Sequence, residues 1–134
     1  MEQEAFGPHL MMDAKGCDKD KLKDMRFIHE FLKNLVEKMD MTMMTLPYVC
    51  SWKDKFAETA GISGFVMIAE SHVSIHTFPD YDYFFIDLFS CRDFDLEKAE
   101  EFIKESFAVE KVDTHLVKRG ADFPEKGMVV KAMV

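Results

Sequence analysis

The stretch that decides the fold is GFVMIAESHVSIHTFPDYDYFFIDLFS, residues 64–90. Apolar residues recur in it with a period close to two, which predicts strands over 64–70, 72–78 and 83–90. The proline and aspartates of 79–82 predict the turn between the last two strands. Strands joined by such short connections pair antiparallel. The segment therefore predicts a mostly antiparallel sheet.

The flanking residues complete a β-α-β-β-β-β-α-β order. In chain order we predict a strand at 6–15, a helix at 19–39, a strand at 41–49, a loop at 51–59, a helix at 96–107, a strand at 111–117 and a loosely ordered tail at 120–134. Asp18 and Asp95 stand at the N-cap positions of the two helices. This order predicts an α+β fold, a two-layer sandwich with two helices on one face of the sheet. Because several strands are apolar on both faces, we expect a second copy of the chain to cover the other face.

Composition restricts the class of protein. The chain has 134 residues, with 17 basic and 25 acidic side chains and a net charge of −8. That length predicts one domain over 1–134, and the negative charge disfavours nucleic acid and anionic membranes as partners. The sequence shows neither a signal-peptide pattern nor an apolar run of about 20 residues, so we expect a cytoplasmic protein. Three cysteines without a CxxC motif do not indicate a disulfide framework or a zinc ribbon.

Polar residues concentrate between Glu70 and His76, inside an otherwise apolar sheet. The HxxxH spacing of His72 and His76 suggests a metal site, but only on a helix. The β-branched residues between them favour a strand, which separates the two positions by about 13 Å. We therefore expect no metal. Two satisfied polar side chains on a wet sheet face are the simplest interpretation of the histidine pair.

The dipeptide Glu70-Ser71 offers covalent chemistry. The Ser71 hydroxyl can attack the carbonyl of its own preceding peptide bond and convert that amide into an ester. A base could then remove the serine α-proton and break the ester by β-elimination. The dehydroalanine that results hydrolyses to a pyruvoyl group, which is a carbonyl cofactor made from the chain itself.

The surrounding motifs make this chemistry specific. They are GPHL at 7–10, GCD at 16–18, GISG at 61–64, ESHVSIHTFP at 70–79, Cys91 twenty positions after Ser71, and KRG at 118–120. With these motifs in this order, roughly residues 6–120 closely resemble the bacterial and archaeal type of S-adenosylmethionine decarboxylase proenzyme. The resemblance implies a homodimeric enzyme that decarboxylates S-adenosylmethionine for polyamine (spermidine) synthesis and uses a pyruvoyl cofactor as a Schiff base.

The resemblance also implies roles for individual residues. Ser71 would give rise to the pyruvoyl group, and Glu70 would become the new C-terminus of the first fragment. His76 would take the α-proton during processing, with Ser63 assisting. Cys91 would return a proton to the substrate carbon, although a small core residue is the alternative interpretation.

The substrate-binding residues that the resemblance implies are aromatic and acidic. Phe56, with Trp52 in reserve, would stack on adenine; Phe78 stands where the family usually has Trp, and Asp80 where it usually has Glu. Because Ser71 and His76 are five positions apart, a straight strand places them on opposite faces. We therefore expect a bend or bulge near Ser71.

Four positions depart from the family pattern. Asp82 and Arg92 stand where glycine is common, and Phe84 and Phe85 replace two small residues. The added carboxylate at 82 and the larger side chains at 84 and 85, which would fill space that adenosine requires, favour a smaller substrate. Decarboxylation of arginine or ornithine therefore stays an alternative. Simple repacking of the core is the other explanation of the three changes. An unprocessed homologue that only binds a small molecule or a partner chain is a third possibility.

Overall fold

The computed structural model describes residues 5–53 and 60–124. Within these ranges the strands are β1 (Gly7–Lys15), β2 (Tyr48–Lys53), β3 (Ala60–Ile68), β4 (Ser71–Phe78), β5 (Tyr83–Ser90) and β6 (Lys111–Arg119), and the helices are α1 (Lys19–Leu22), α2 (Met25–Lys38) and α3 (Leu96–Phe107). A single 3₁₀ turn over Pro79–Tyr81 joins β4 to β5. The α+β class predicted from the sequence is confirmed.

The six strands form one sheet in the order β2-β3-β4-β5-β1-β6. Every strand pair in the described residues is antiparallel. β1 lies between β5 and β6, so the first and last strands of the chain are neighbours. The three strands predicted from residues 64–90 are β3, β4 and β5, and they lie side by side in the sheet in chain order. They carry most of the polar residues discussed below.

Two predicted elements differ from the structure. The helix predicted over 19–39 is two helices, because Asp24 breaks it and caps α2 by accepting a hydrogen bond from the Phe27 backbone N–H. The strand predicted over 41–49 instead spans Tyr48–Lys53, so the first three residues of the loop predicted over 51–59 are strand, and the rest of that loop lies outside the described residues. Before Tyr48, an isolated bridge joins Met43 to Ile68. The backbone N–H groups of Met44 and Thr45 both point at the Met67 carbonyl, so this segment crosses the end of β3 instead of extending beside it.

The helices cover one face of the sheet. The buried stripe of α2 follows helical spacing and comprises Ile28, Phe31, Leu32, Leu35 and Val36. It packs with α3 against the inward-facing residues of the central strands, such as Met12, Val66, Ile75 and Phe84, all of which are fully buried.

The opposite face of the sheet is not covered by any described part of the chain, and we call it the open face. Its apolar side chains are partly solvent-exposed: Tyr48 by 62%, Phe65 by 44%, Met67 by 42% and Phe85 by 43%. None of the helices in 5–53 and 60–124 is long and apolar enough to span a membrane.

Candidate active site

A serine and a histidine meet on the open face. β3 and β4 pair so that Ser63 lies directly opposite His76. Side chains alternate between the two faces of a strand, and both residues point away from the helices, whereas Ile62 and Ile75 point into the core. Ser63 Oγ lies 2.9 Å from His76 Nδ1, within hydrogen-bond distance. The imidazole is exposed, so its other nitrogen is accessible to a second molecule.

The Glu70–Ser71 peptide bond lies at the tip of the β3–β4 hairpin. The turn consists of Ala69 and Glu70, and Ser71 is the first residue of β4, opposite Ser90 of β5. The backbone N–H of Cys91 donates a 2.8 Å hydrogen bond to the Glu70 carbonyl oxygen. That carbonyl is the group that the Ser71 hydroxyl would attack, and an N–H aimed at it stabilises the negative charge that develops there.

Of the bend or bulge predicted near Ser71, the bulge is absent. β4 keeps an unbroken register with β5 from Ser71 to Phe78, and with β3 from Ser71 to His76. Ser71 therefore keeps the parity of the buried Val73 and Ile75, whereas His76 points to the open face. Five residues of strand also separate the two by about 16 Å. Within one chain the structure does not bring Ser71 and His76 together.

The aromatic and acidic residues form a third group, at the far end of β4. Trp52 and Phe78 make an edge-to-face contact with ring centroids 5.5 Å apart. Trp52 and Asp80 line a cavity of about 270 Å³. Gly61 makes that wall possible, since a Cβ there would lie 2.9 Å from the Trp52 ring. Trp52, the reserve candidate, lines this cavity, and Phe56 lies outside the described residues.

Two of the three departures at residues 82–85 have structural explanations. Asp82 has φ 52°, a left-handed conformation that glycine adopts freely and aspartate tolerates, and it ends the 3₁₀ turn. Phe84 is fully buried and packs on Phe107 with ring centroids 4.5 Å apart. Of the three changed side chains, only Phe85 lies on the open face, directly opposite His76. Two of the three changes are thus accommodated by the turn and the core, and they take no space on the open face.

Asp87 organises a polar network that our sequence analysis missed. Its carboxylate is 2.6 Å from His9 Nε2 and 3.2 Å from His72 Nε2, and it accepts a hydrogen bond from the Ser74 hydroxyl. Burial alone would raise the pKa of Asp87, but the hydrogen bonds from Ser74, His9 and His72 outweigh it and lower that pKa below its ordinary value. The period-two pattern could have indicated this cluster, because these residues share one face of adjacent strands.

The ligand atoms of His9, His72 and Asp87 also lie close enough together to hold a metal ion. Arg119 argues against that use, since its guanidinium lies 3.3 Å from His9 Nδ1 and can only donate. His9 Nδ1 is therefore the acceptor, and its Nε2 carries the proton that faces Asp87. A metal on Nε2 would require the opposite tautomer. The donor set fits a hydrogen-bonded network.

The fold and site define an α+β sandwich that carries a serine–histidine pair on an open sheet face and a Glu-Ser hairpin tip at the end of two interior strands. Residues 8–120 match the family model described as S-adenosylmethionine decarboxylase. The chain belongs to the S-adenosylmethionine decarboxylase family.

Individual relatives agree with this assignment. The chain is 36% identical over 115 residues to the S-adenosylmethionine decarboxylase proenzyme of Clostridium botulinum strain Loch Maree, covering 85% of this chain and 94% of that protein. It is 34% identical over 117 residues to the proenzyme of Bacillus velezensis, covering 87% and 88%. The crystal structure of the adenosylmethionine decarboxylase from Aquifex aeolicus superposes with a TM-score of 0.70 at 26% identity, covering 87% and 92%.

Proposed function

We propose that this chain is a cytoplasmic, single-domain decarboxylase of S-adenosylmethionine that cleaves itself between Glu70 and Ser71 and works as a homodimer. The observation that carries the proposal is the hydrogen bond from the Cys91 N–H to the Glu70 carbonyl, beside the Ser71 hydroxyl, in a chain of this family. The names of the relatives support the substrate.

The covalent changes of self-cleavage involve only atoms of the cleaved chain and one water. The Ser71 oxygen bonds to the Glu70 carbonyl carbon, and the C–N bond to the Ser71 nitrogen breaks, which leaves an ester and a free amine. A base removes the Ser71 α-proton, and the ester oxygen leaves with the Glu70 carboxylate. Water then replaces the nitrogen of the dehydroalanine, releasing ammonia. His76 is suited to act as the base, because a neutral imidazole nitrogen can accept a proton and Ser63 orients the ring.

The geometry within one chain favours a second chain for this step. A base about 16 Å away along a straight strand cannot reach the Ser71 α-proton, and the register of β4 leaves no slack. In a two-fold dimer, residue i of one chain contacts residue j of the other, and the reverse contact forms at the same time. We therefore place His76 and Ser63 of one chain beside Ser71 of its partner, twice per dimer.

The open face is the surface through which the two copies would meet. It exposes apolar side chains in a patch around Phe65, Met67 and Phe85, which a sheet ordinarily covers. It also holds the His76 imidazole and an adjoining cavity of about 290 Å³, lined in part by Phe85 and Asp87. A partner seated here would enclose these groups and exclude water from the reaction.

The residues at Ser71 fit the pyruvoyl group that the family implies, because the hairpin tip supplies the serine and a donor for its carbonyl. That group supplies an electron sink for the electrons released when carbon dioxide leaves the substrate. Cys91 follows directly after β5 and returns a proton to the substrate carbon. Trp52 or Phe56 and Phe78 stack on adenine, and Asp80 accepts hydrogen bonds from the ribose.

The experiment co-expresses two inactive variants that carry different tags, Ser71→Ala and His76→Ala. The His76→Ala chain keeps its own Ser71 and Cys91, and the Ser71→Ala chain donates His76. We expect each variant alone to form no pyruvoyl group. In the mixture, only the His76→Ala chain should yield fragments 1–70 and 71–134, with the second lighter by one ammonia than a fragment beginning with serine.

Two controls separate the parts of the proposal. A wild-type chain that stays whole by intact mass would contradict self-cleavage. A wild-type chain that cleaves, with a mixture that does not, would contradict the two-chain site. Processed enzyme is then given S-adenosylmethionine, arginine and ornithine, each labelled at its carboxylate. Release of carbon dioxide from either of the last two alone would overturn the substrate.

A further inference from the structure

Arg92 stands next to Cys91 and reaches the other side of the cleavage site. Its guanidinium Nε lies 3.7 Å from the Glu70 carboxylate, and its Nη2 donates to the Asp40 carbonyl at 2.5 Å. The Arg92 backbone is fixed by Ser90, whose hydroxyl donates to the Arg92 carbonyl at 2.7 Å and accepts the Arg92 N–H at 3.1 Å. The guanidinium therefore extends from an anchored backbone.

Glu70 is consequently held at both ends by consecutive residues. The Cys91 N–H binds its main-chain carbonyl, and the Arg92 guanidinium pairs with its side chain. The Thr42 N–H donates to the second carboxylate oxygen at 3.1 Å, and the Glu70 side chain is only 12% exposed. Three segments meet here: the hairpin tip, the end of β5, and the loop after α2, where Asp40 adopts φ 55°.

We propose that Arg92 is a positioning residue for self-cleavage, which holds Glu70 so that its carbonyl stays on the Cys91 N–H while Ser71 attacks. This inference rests on the proposed self-cleavage between Glu70 and Ser71. Arg92 acts through Glu70 and takes no part in proton transfer. Its effect belongs to the first step, formation of the ester, because only that step changes the geometry of the Glu70 carbonyl carbon.

Hydroxylamine separates the first step from the second. It attacks an ester far faster than an amide, so it cleaves the chain only where the ester has formed. The products are fragment 1–70 ending in a hydroxamic acid and fragment 71–134 beginning with serine. The assay uses the His76→Ala chain, in which the elimination is blocked, and its rate of cleavage reports ester formation alone.

Removing the guanidinium should slow this cleavage about 3- to 10-fold, the effect expected of one charge-assisted contact to a mostly buried carboxylate. Arg92→Ala and Glu70→Gln should each show the loss, and the double variant should show no more than either alone. Arg92→Lys should recover part of the rate because it keeps the charge. Arg26→Ala, an exposed arginine at the start of α2, is the matched control and should cleave at the parent rate.

The outcomes are distinguishable. Ser71→Ala sets the background, and a parent chain that hydroxylamine cleaves no faster than this background would contradict self-cleavage itself. A parent chain that cleaves normally, with Arg92→Ala and Glu70→Gln at the same rate, would overturn the role of Arg92. Additive losses in the double variant would also overturn it. Should Arg92→Ala fail to fold by its thermal unfolding curve, Glu70→Gln and Arg92→Lys decide the question.

Discussion

Thr77 is the buried polar residue whose removal should harm the fold most. It is fully buried beside His76, with its side chain on the helix-covered face. Its hydroxyl donates to the Leu22 carbonyl at 2.7 Å and accepts the Ile62 N–H at 2.9 Å. This one hydroxyl thus links the end of α1 to β4, and it accepts the Ile62 N–H of β3 in place of a main-chain carbonyl. Thr77→Val removes this hydroxyl while keeping the size and branching of the side chain.

The magnitude follows from the two partners left behind. Valine cannot satisfy the Leu22 carbonyl or the Ile62 N–H, and each buried, unsatisfied group costs about 1–3 kcal/mol. We expect Thr77→Val to lower the free energy of unfolding by about 2–6 kcal/mol, a large part of the 5–15 kcal/mol typical of a domain. Thr114→Val is the matched control: Thr114 is exposed on β6 and makes a single contact, to Glu100, so its loss should cost less than about 0.5 kcal/mol.

The assay is urea unfolding in the Ser71→Ala chain, which keeps the sample uniform. The midpoint should fall for Thr77→Val, with the slope unchanged, and should hardly move for Thr114→Val. Equal midpoints for the two variants would refute the argument, because they would mean that the buried hydroxyl contributes no more than an exposed one.

Three further predictions concern single side chains. Cys91→Ala should lower turnover of processed enzyme by about 10²–10⁴-fold, measured as carbon dioxide release, and unchanged turnover would leave the residue a packing role. Because the pKa of Asp87 is lowered from 3.8, its stabilising effect is present at neutral pH and is lost as the pH falls below that value. Asp87→Asn should therefore destabilise the chain at about pH 7, and by progressively less as the pH falls below 3.8; an effect that does not decrease would contradict this. Burial, with nearby carboxylates, raises the pKa of Cys17 to about 12, so iodoacetamide should label the exposed Cys50 well before Cys17, as mass spectrometry can check.

The sequence correctly predicted the bounds of those helices and strands that are determined by residues close in sequence. The bounds of α3 and β5 agree with the sequence, because Asp95 caps the helix and the turn at 79–82 precedes the strand. The break in the first predicted helix was missed, since Asp24 fits a helix surface as well as a cap. The Met- and Thr-rich segment at 41–47 has strand-like composition, but its N–H groups bind the end of β3, which only the tertiary structure determines.

The sequence indicates which residues are candidates for the site, but it does not indicate how they are arranged in space. The motifs indicate Ser63, Ser71, His76 and Cys91, and spacing indicates that Ser71 and His76 face opposite ways. We resolved that conflict with a bulge, which the structure does not contain. Whether a strand bulges depends on hydrogen bonds with its neighbours, and these are not visible in the sequence of the strand itself.

Two arrangements would bring a His76 side chain to Ser71: a bulge within β4, or a second chain. They differ in how many contacts of β4 they disturb. A bulge within β4 would have to shift its pairing with both neighbours at once, because β4 is a central strand hydrogen-bonded on each side. A second chain on the open face disturbs none of these contacts and covers exposed apolar surface. Since Ser71 is the first residue of β4 and keeps the parity of the buried face, the partner's His76 would approach it at the end of the strand. The same unbroken register that separates the two residues within one chain therefore favours a site shared between two.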